Sequence, residues 1–140
     1  MERLRLQPPD DPWDWATPAK MSQGLKVGNF VYVSGQTATE DGRVQGEGDI
    51  GVQTRLTFEN IRRILRAGGA EMKHVVKLNT YYVYDGEEAD IGDYFRTMLD
   101  VRKEFLEPPG PVGSAVRIHG LSIPGLLIEV DAVAILPGDD

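Results

Sequence analysis

Cysteine is absent from the 140 residues, which removes disulfides, thiolate metal sites and a thiol nucleophile together. Histidine occurs only twice, at His74 and His119, too few to build a metal cluster alone. Positive charge is scarce: 15 Lys and Arg against 22 Asp and Glu leave a net charge of -7. A phosphate backbone is repelled by such a chain, so nucleic acid is not an expected partner. No apolar run approaches the roughly 20 residues of a membrane span, and Met1 to Asp10 lack the apolar core of a signal peptide. The expectation is a cytoplasmic chain with no membrane partner. What is present, 41% apolar and 26% charged residues, is ordinary globular composition, and 140 residues suit one domain.

Residues 1 to 20 hold Pro8, Pro9, Pro12 and Pro18 together with Asp10, Asp11 and Asp14, a composition that suppresses helix and strand alike and predicts an extended arm. Trp13 and Trp15 share a face in an extended chain and are expected to pin the arm to the domain. Residues 21–140 then read as one domain. Leu25 and Val27, the turn dipeptide Gly28-Asn29, and Phe30 to Val33 spell a hairpin, followed by a short return after Glu40-Asp41-Gly42. Asp49 is placed to cap a helix over Ile50 to Ala67, which Gly68-Gly69 ends. A β-rich run begins at Val75 and extends to Val83. Apolar residues at three- and four-residue intervals predict a second helix from Ala89 to Leu106, stopped by Pro108-Pro109-Gly110-Pro111. Two last strands, Ser114 to His119 and Leu126 to Ile135, complete an α+β fold: one sheet with two helices packed on one face.

The last strand alternates Ile128, Val130, Ala132 and Ala134 with Leu127, Glu129, Asp131 and Val133. Both faces therefore hold apolar groups, and the one without helices needs a cover. A subunit interface is the economical cover, with Glu129 placed where two chains meet.

No Walker loop, dinucleotide fingerprint, HExxH or GxSxG motif is present. The candidates for chemistry are Ser34-Gly35-Gln36 at a strand end, Glu129, Arg117 and His119, and Tyr81, Tyr82 and Tyr84. A glycine after a strand lets the main chain approach a ligand closely, although a plain turn explains it as well. A lone histidine is more often a structural residue than a base.

The segments Met21-Ser22-Gln23-Gly24, Val31-Tyr32-Val33-Ser34-Gly35-Gln36, Gly48-Asp49-Ile50, Gln53-Thr54-Arg55, Glu59-Asn60-Ile61, Ala67-Gly68-Gly69-Ala70 and Leu127-Ile128-Glu129-Val130-Asp131 occur in one order across Met21 to Ile135. In order and spacing they resemble the reactive-intermediate deaminase family, also called YjgF or Rid. The resemblance implies a chorismate-mutase-like α+β fold, a homotrimer, small-molecule clefts between subunits, and hydrolysis of imines and enamines such as 2-aminoacrylate without a cofactor. In the best-understood branch an arginine in a Pro-Ala-Arg-Ser context grips the substrate carboxylate, a Ser-Gly pair lines the cleft, and a glutamate in the last strand orients water.

Carried onto this chain, the resemblance assigns Ser34 and Gly35 to the Ser-Gly pair and Glu129 to the glutamate. The arginine has no match: Pro111-Val112-Gly113-Ser114 puts Gly113 in its place, Ala115 stands where a small polar or thiol residue is common, and Met21 aligns with a cleft tyrosine. These departures imply a divergent branch. Arg117, four residues along the same strand face as Gly113, or about 13 Å away, is the expected substitute if there is one. The resulting expectation is a homotrimeric hydrolase for a small reactive imine, enamine or related C=N compound, with Glu129 catalytic and Ser34, Gly35, Gly113, Ala115, Met21 and Arg117 around the substrate. A non-catalytic trimeric small-molecule-binding module is the alternative, and a ribonuclease is disfavoured by the net charge.

Overall fold

The computed structural model describes residues 1–8 and 19–138. Its helix α1 (Ile50–Ala67) starts at Asp49, whose carboxylate accepts from the Val52 N–H at 3.1 Å, and ends at Gly68 and Gly69. Capping at one end and glycine at the other are what the sequence asked for. Phe58, Ile61, Ile64 and Leu65 are the buried stripe of this helix and pack on the sheet. Helix α2 (Ile91–Lys103) lies against α1 and is preceded by a short 3-10 turn, Glu88–Asp90. It is shorter than the periodicity predicts, because the last apolar residues, Phe105 and Leu106, pack as a tail beyond the helix; the Phe105 ring lies tilted against Phe58, 5.3 Å between centroids.

The sheet has the order β1 (Leu4–Leu6), β2 (Gly24–Val27), β3 (Phe30–Thr37), β8 (Ile128–Ile135), β6 (Val75–Val83), β7 (Ala115–Ile118), and β4 (Thr39–Glu40) with β5 (Arg43–Val44) forms a separate small hairpin. All pairs in the six-stranded sheet are antiparallel except β6 with β7, so the sheet is mixed. The β2–β3 hairpin turns at Gly28, whose φ of 58° a side chain would strain. Val31, Val33, Ile128, Val130, Ala132 and Ala134 face the helices and are buried, and the core sits between this face and α1.

The arm departs from expectation at its start. Leu4–Leu6 is a strand paired with β2, and its Leu6 is buried. A Cβ on Gly68 would lie 2.7 Å from the Leu6 side chain, and one on Gly24 3.1 Å from it, so both glycines make room for that side chain. Burial of this one leucine anchors a segment whose composition otherwise disfavours a strand. Trp13 and Trp15 lie outside the described residues.

Candidate functional site

Side chains on the helix-free face are ordered by register. Thr37 lies opposite Glu129, Tyr81 lies opposite it on the other side, and Val116 follows Tyr81. One row along, Asn79 lies opposite Asp131. Between Val33 and Gln36 the pairing slips: β3 spends two residues, Ser34 and Gly35, against the single Asp131 of β8. Such a bulge turns successive side chains toward one face, and Gln36 returns to the buried side. The Ser-Gly pair thereby comes to lie beside the two acids.

Gly35 is in contact with Glu129. A Cβ there would sit 2.7 Å from the Glu129 Cδ and Oε2, so the missing side chain is the space the carboxylate occupies. Ser34 is held from the far side: its Oγ donates to the Ser22 carbonyl at 2.6 Å and its N–H to the Gln23 carbonyl at 2.8 Å. Half-burial, with the Asp131 charge two residues along, pushes the Glu129 carboxyl above its ordinary value. Asp131 is oriented by Asn79, whose Nδ2 donates to it at 3.2 Å while its Oδ1 accepts from the Ser114 N–H at 3.3 Å. A carboxylate so placed is a better proton acceptor than a solvated one.

Two residues expected around the substrate, Ala115 and Arg117, turn away from Glu129. Ala115 and Arg117 alternate with Val116, so they face the helices rather than Glu129; Ala115 lines a small apolar gap with Phe58 and Phe95. Arg117 is committed there. It pairs with Glu88 at 2.9 Å, donates to the Tyr84 carbonyl at 2.8 Å and stacks over the Tyr84 ring at 5.3 Å. Arg117, the one candidate substitute for the missing arginine, is thus held on the other side of its strand by Glu88 and Tyr84. Gly113 belongs to the edge that pairs with β6, and any Cβ there would overlap the Leu78 carbonyl oxygen, so the local backbone admits no arginine.

Met21 and Ser34 line a groove of about 740 Å³ on the helix-free face, which also touches Asp131. Of the three tyrosines only Tyr81 stands beside Glu129; Tyr82 packs on Phe95 and Tyr84 on Tyr94. His74 is structural, its Nδ1 accepting from the Glu71 N–H at 2.9 Å. Among the described residues no group of three or more His, Asp and Glu is arranged to hold a metal ion.

Asp131, Asn79 and Thr37 were missed by sequence reasoning. The only signal for Asp131 was its alternation with Glu129; Asn79 and Thr37 become visible only through register. Two motif residues prove to be supports. Gln53, fully buried, donates from Nε2 to the Gly125 carbonyl at 2.9 Å and accepts from the Leu127 N–H at 2.8 Å, fixing the start of β8. Asn60 donates to the Thr37 carbonyl at 2.9 Å and fixes the end of β3. Both hold backbone on which the site stands.

A mixed sheet with two helices on one face is the α+β architecture of the YjgF/UK114 proteins. A structure from Mycobacterium tuberculosis described as a member of the YjgF/YER057c/UK114 family superposes with a TM-score of 0.75 at 27% identity, covering 96% of this chain and 100% of that one. The profile of the family described as Endoribonuclease L-PSP matches residues 15–136, and the chain belongs to this family, the YjgF or Rid family. Among its relatives, the mitochondrial protein mmf2 of Schizosaccharomyces pombe is 36% identical over 115 residues, 81% of this chain and 85% of that protein. A 2-iminobutanoate/2-iminopropanoate deaminase of Dermatophagoides farinae is 30% identical over 116 residues, 82% and 84% respectively. No helix among the described residues is long and apolar enough to cross a membrane.

Proposed function

We propose that this protein is a hydrolase of small reactive imines or enamines, working without a cofactor in clefts between the subunits of a homotrimer. The observation that carries the reading is the Glu129 carboxylate seated in the space left by Gly35, half-buried and shifted toward protonation, on the helix-free face. The name of the mite relative, a 2-imino acid deaminase, supports the reaction class. In the proposed reaction Glu129 takes a proton from water as the water oxygen bonds to the imine carbon. Glu129 passes that proton to the imine nitrogen, giving a neutral carbinolamine, and the carbinolamine collapses as its hydroxyl proton is carried through Glu129 to nitrogen: the carbonyl forms, the C–N bond breaks, and ammonia leaves. The Gly35 and Ser34 main chain, bulged out of the ladder, lines the approach.

The trimer is supported by the apolar residues the helix-free face exposes, with Phe30 at 43%, Tyr32 at 43% and Val116 at 44%. Light scattering should give three chains per particle, and a monomer at micromolar concentration contradicts it. Membership of a divergent branch is supported by the Gly113 backbone, which cannot carry the arginine that grips an α-carboxylate. The ribonuclease that the family description mentions is disfavoured by the net charge of -7.

The test is the fate of imines formed in situ, 2-aminoacrylate from a pyridoxal-phosphate dehydratase and an uncharged cyclic imine. A hydrolase speeds ammonia release in proportion to protein and favours the uncharged imine over 2-aminoacrylate. A binding module without turnover leaves release unchanged or slows it, and that result overturns the proposal.

A further inference from the structure

Pairing of β6 with the segment leading into β7 is irregular at one place, next to the two acids. Leu78 donates to the Val112 carbonyl at 2.9 Å and Thr80 to the Ser114 carbonyl at 2.8 Å. Regular parallel pairing would send the Ser114 N–H to the Leu78 carbonyl between them. Gly113 is turned against that oxygen, so closely that a Cβ on it would lie 1.6 Å away. The Ser114 N–H goes instead to the side chain of Asn79, reaching Oδ1 at 3.3 Å. An N–H displaced from the ladder is thereby satisfied by an amide whose other end, Nδ2, donates to the Asp131 carboxylate at 3.2 Å.

One orientation of the amide serves both partners, because the Ser114 N–H only donates and an ionised carboxylate only accepts. Among the described residues no other hydrogen bond reaches the Asp131 carboxylate. On the β3 side Ser34 turns its Oγ to the Ser22 carbonyl, and Gly35 has no side chain to offer. Asp131 and Glu129 are two residues apart on one face of β8, roughly 7 Å between Cα atoms, and two carboxylates so near repel each other. The Asn79 amide works against that repulsion. The other charged or titratable groups on this face are Tyr81 and Lys77 from β6, Tyr32 from β3, and Arg3, Arg5 and Lys20 along the groove; opposite Glu129 itself β3 presents only Thr37.

We infer that Asn79 is a positioning residue for Glu129: by bridging the Ser114 N–H and the Asp131 carboxylate it fastens the acid pair of β8 to the lead-in of β7 and holds the Asp131 charge at a fixed place beside the base. The inference rests on the proposed hydrolase reading for the role of Glu129. Its consequence is chemical. Half-burial and the Asp131 charge together hold the Glu129 carboxyl above its ordinary value. Without the amide Asp131 turns outward, and Glu129 keeps only what burial gives it.

Carboxyl-carbon NMR of the intact protein, with Glu129 followed against pH, tests this without turnover, and the acid limb of ammonia release is measured alongside. Asn79→Val puts a strand-favouring residue without a donor in place of the amide. It should lower the Glu129 midpoint to that of Asp131→Asn, and the double variant should lower it no further. Asn79→Asp keeps an acceptor for Ser114 but sets a charge against Asp131; it should raise the midpoint above wild type, and it carries the test if Asn79→Val does not fold. A wild-type midpoint in Asn79→Val, Asn79→Asp or Asp131→Asn, or additive shifts in the double variant, overturns the role. Imine hydrolysis with midpoints that do not move refutes this inference alone. Midpoints that move as expected while no imine is hydrolysed refute the hydrolase reading and leave the bridge.

Discussion

Replacing Gly35 by alanine adds one carbon where the Glu129 carboxylate now lies. The new Cβ would stand 2.7 Å from Cδ and Oε2 and 3.0 Å from Cγ, against about 3.5 Å for an unstrained carbon contact, so the carboxylate must retreat by roughly 1 Å. The atoms that move are the end of a flexible, half-exposed side chain, and the stability cost should stay below about 1 kcal/mol. Displacement of a proton-transfer group by 1 Å, by contrast, can cost about 10²-fold in rate. Gly35→Ala is therefore expected to melt close to wild type while ammonia release from the imine falls about 100-fold. Combining it with Glu129→Gln gives a cycle: if Gly35 acts only by making room for the carboxylate, the double variant is no slower than Glu129→Gln alone. A wild-type rate for Gly35→Ala would refute the reasoning. So would strictly additive losses in the double variant, which would give Gly35 a role independent of Glu129.

The raised Glu129 carboxyl sets the acid limb of the pH profile: the rate should fall with acidification around a midpoint above the ordinary 4.5, and Asp131→Asn should lower that midpoint by removing the neighbouring charge. For stability the sign is the reverse of a salt-bridged acid. The unfolded chain ionises Glu129 first, so folding is penalised as pH rises through the folded midpoint, and Glu129→Gln should raise the melting temperature more at pH 7 than at pH 4. Arg117→Ala removes an exposed pair with Glu88 on the helix side; it should cost no more than about 1 kcal/mol in urea unfolding and leave turnover per chain unchanged. Gly113→Ala drives a carbon into the Leu78 carbonyl and should destabilise by about 3 kcal/mol or more by the same measurement, so Gly113→Arg cannot restore the family arginine.

What the sequence made legible depended on how local each signal was. Asp49 and Gly68-Gly69 delimit α1 because capping and termination are read within a few residues. Alternation in Ile128 to Ile135 gives the two faces of β8 correctly for the same reason. Alternation also puts Gly113, Ala115 and Arg117 on one side of their strand, but parity cannot say which side. That needs the register that sets Val116 beside Tyr81 and Tyr81 beside Glu129, and this register turns Arg117 away from the acids. The bulge at Ser34-Gly35 exists only relative to β8, so the pair reads locally as a strand end. Leu4–Leu6 is too short for any period, and only the gaps at Gly24 and Gly68 explain why it is a strand. Ser34, Gly35 and Glu129 stand out in the sequence as a strand end and a carboxylate of the last strand, and the family resemblance gives them roles; their contact, and the supporting acids and amides, come from packing.

The most direct test of Glu129 as the base is the ammonia-release rate of Glu129→Gln against wild type at pH 7 on the same imine, with binding of a stable amine analogue measured alongside. Loss of the proton acceptor should reduce the rate by about 10²- to 10⁴-fold, while the neutral, isosteric glutamine leaves the analogue bound in the groove. A Glu129→Gln protein that releases ammonia at the wild-type rate would contradict the account.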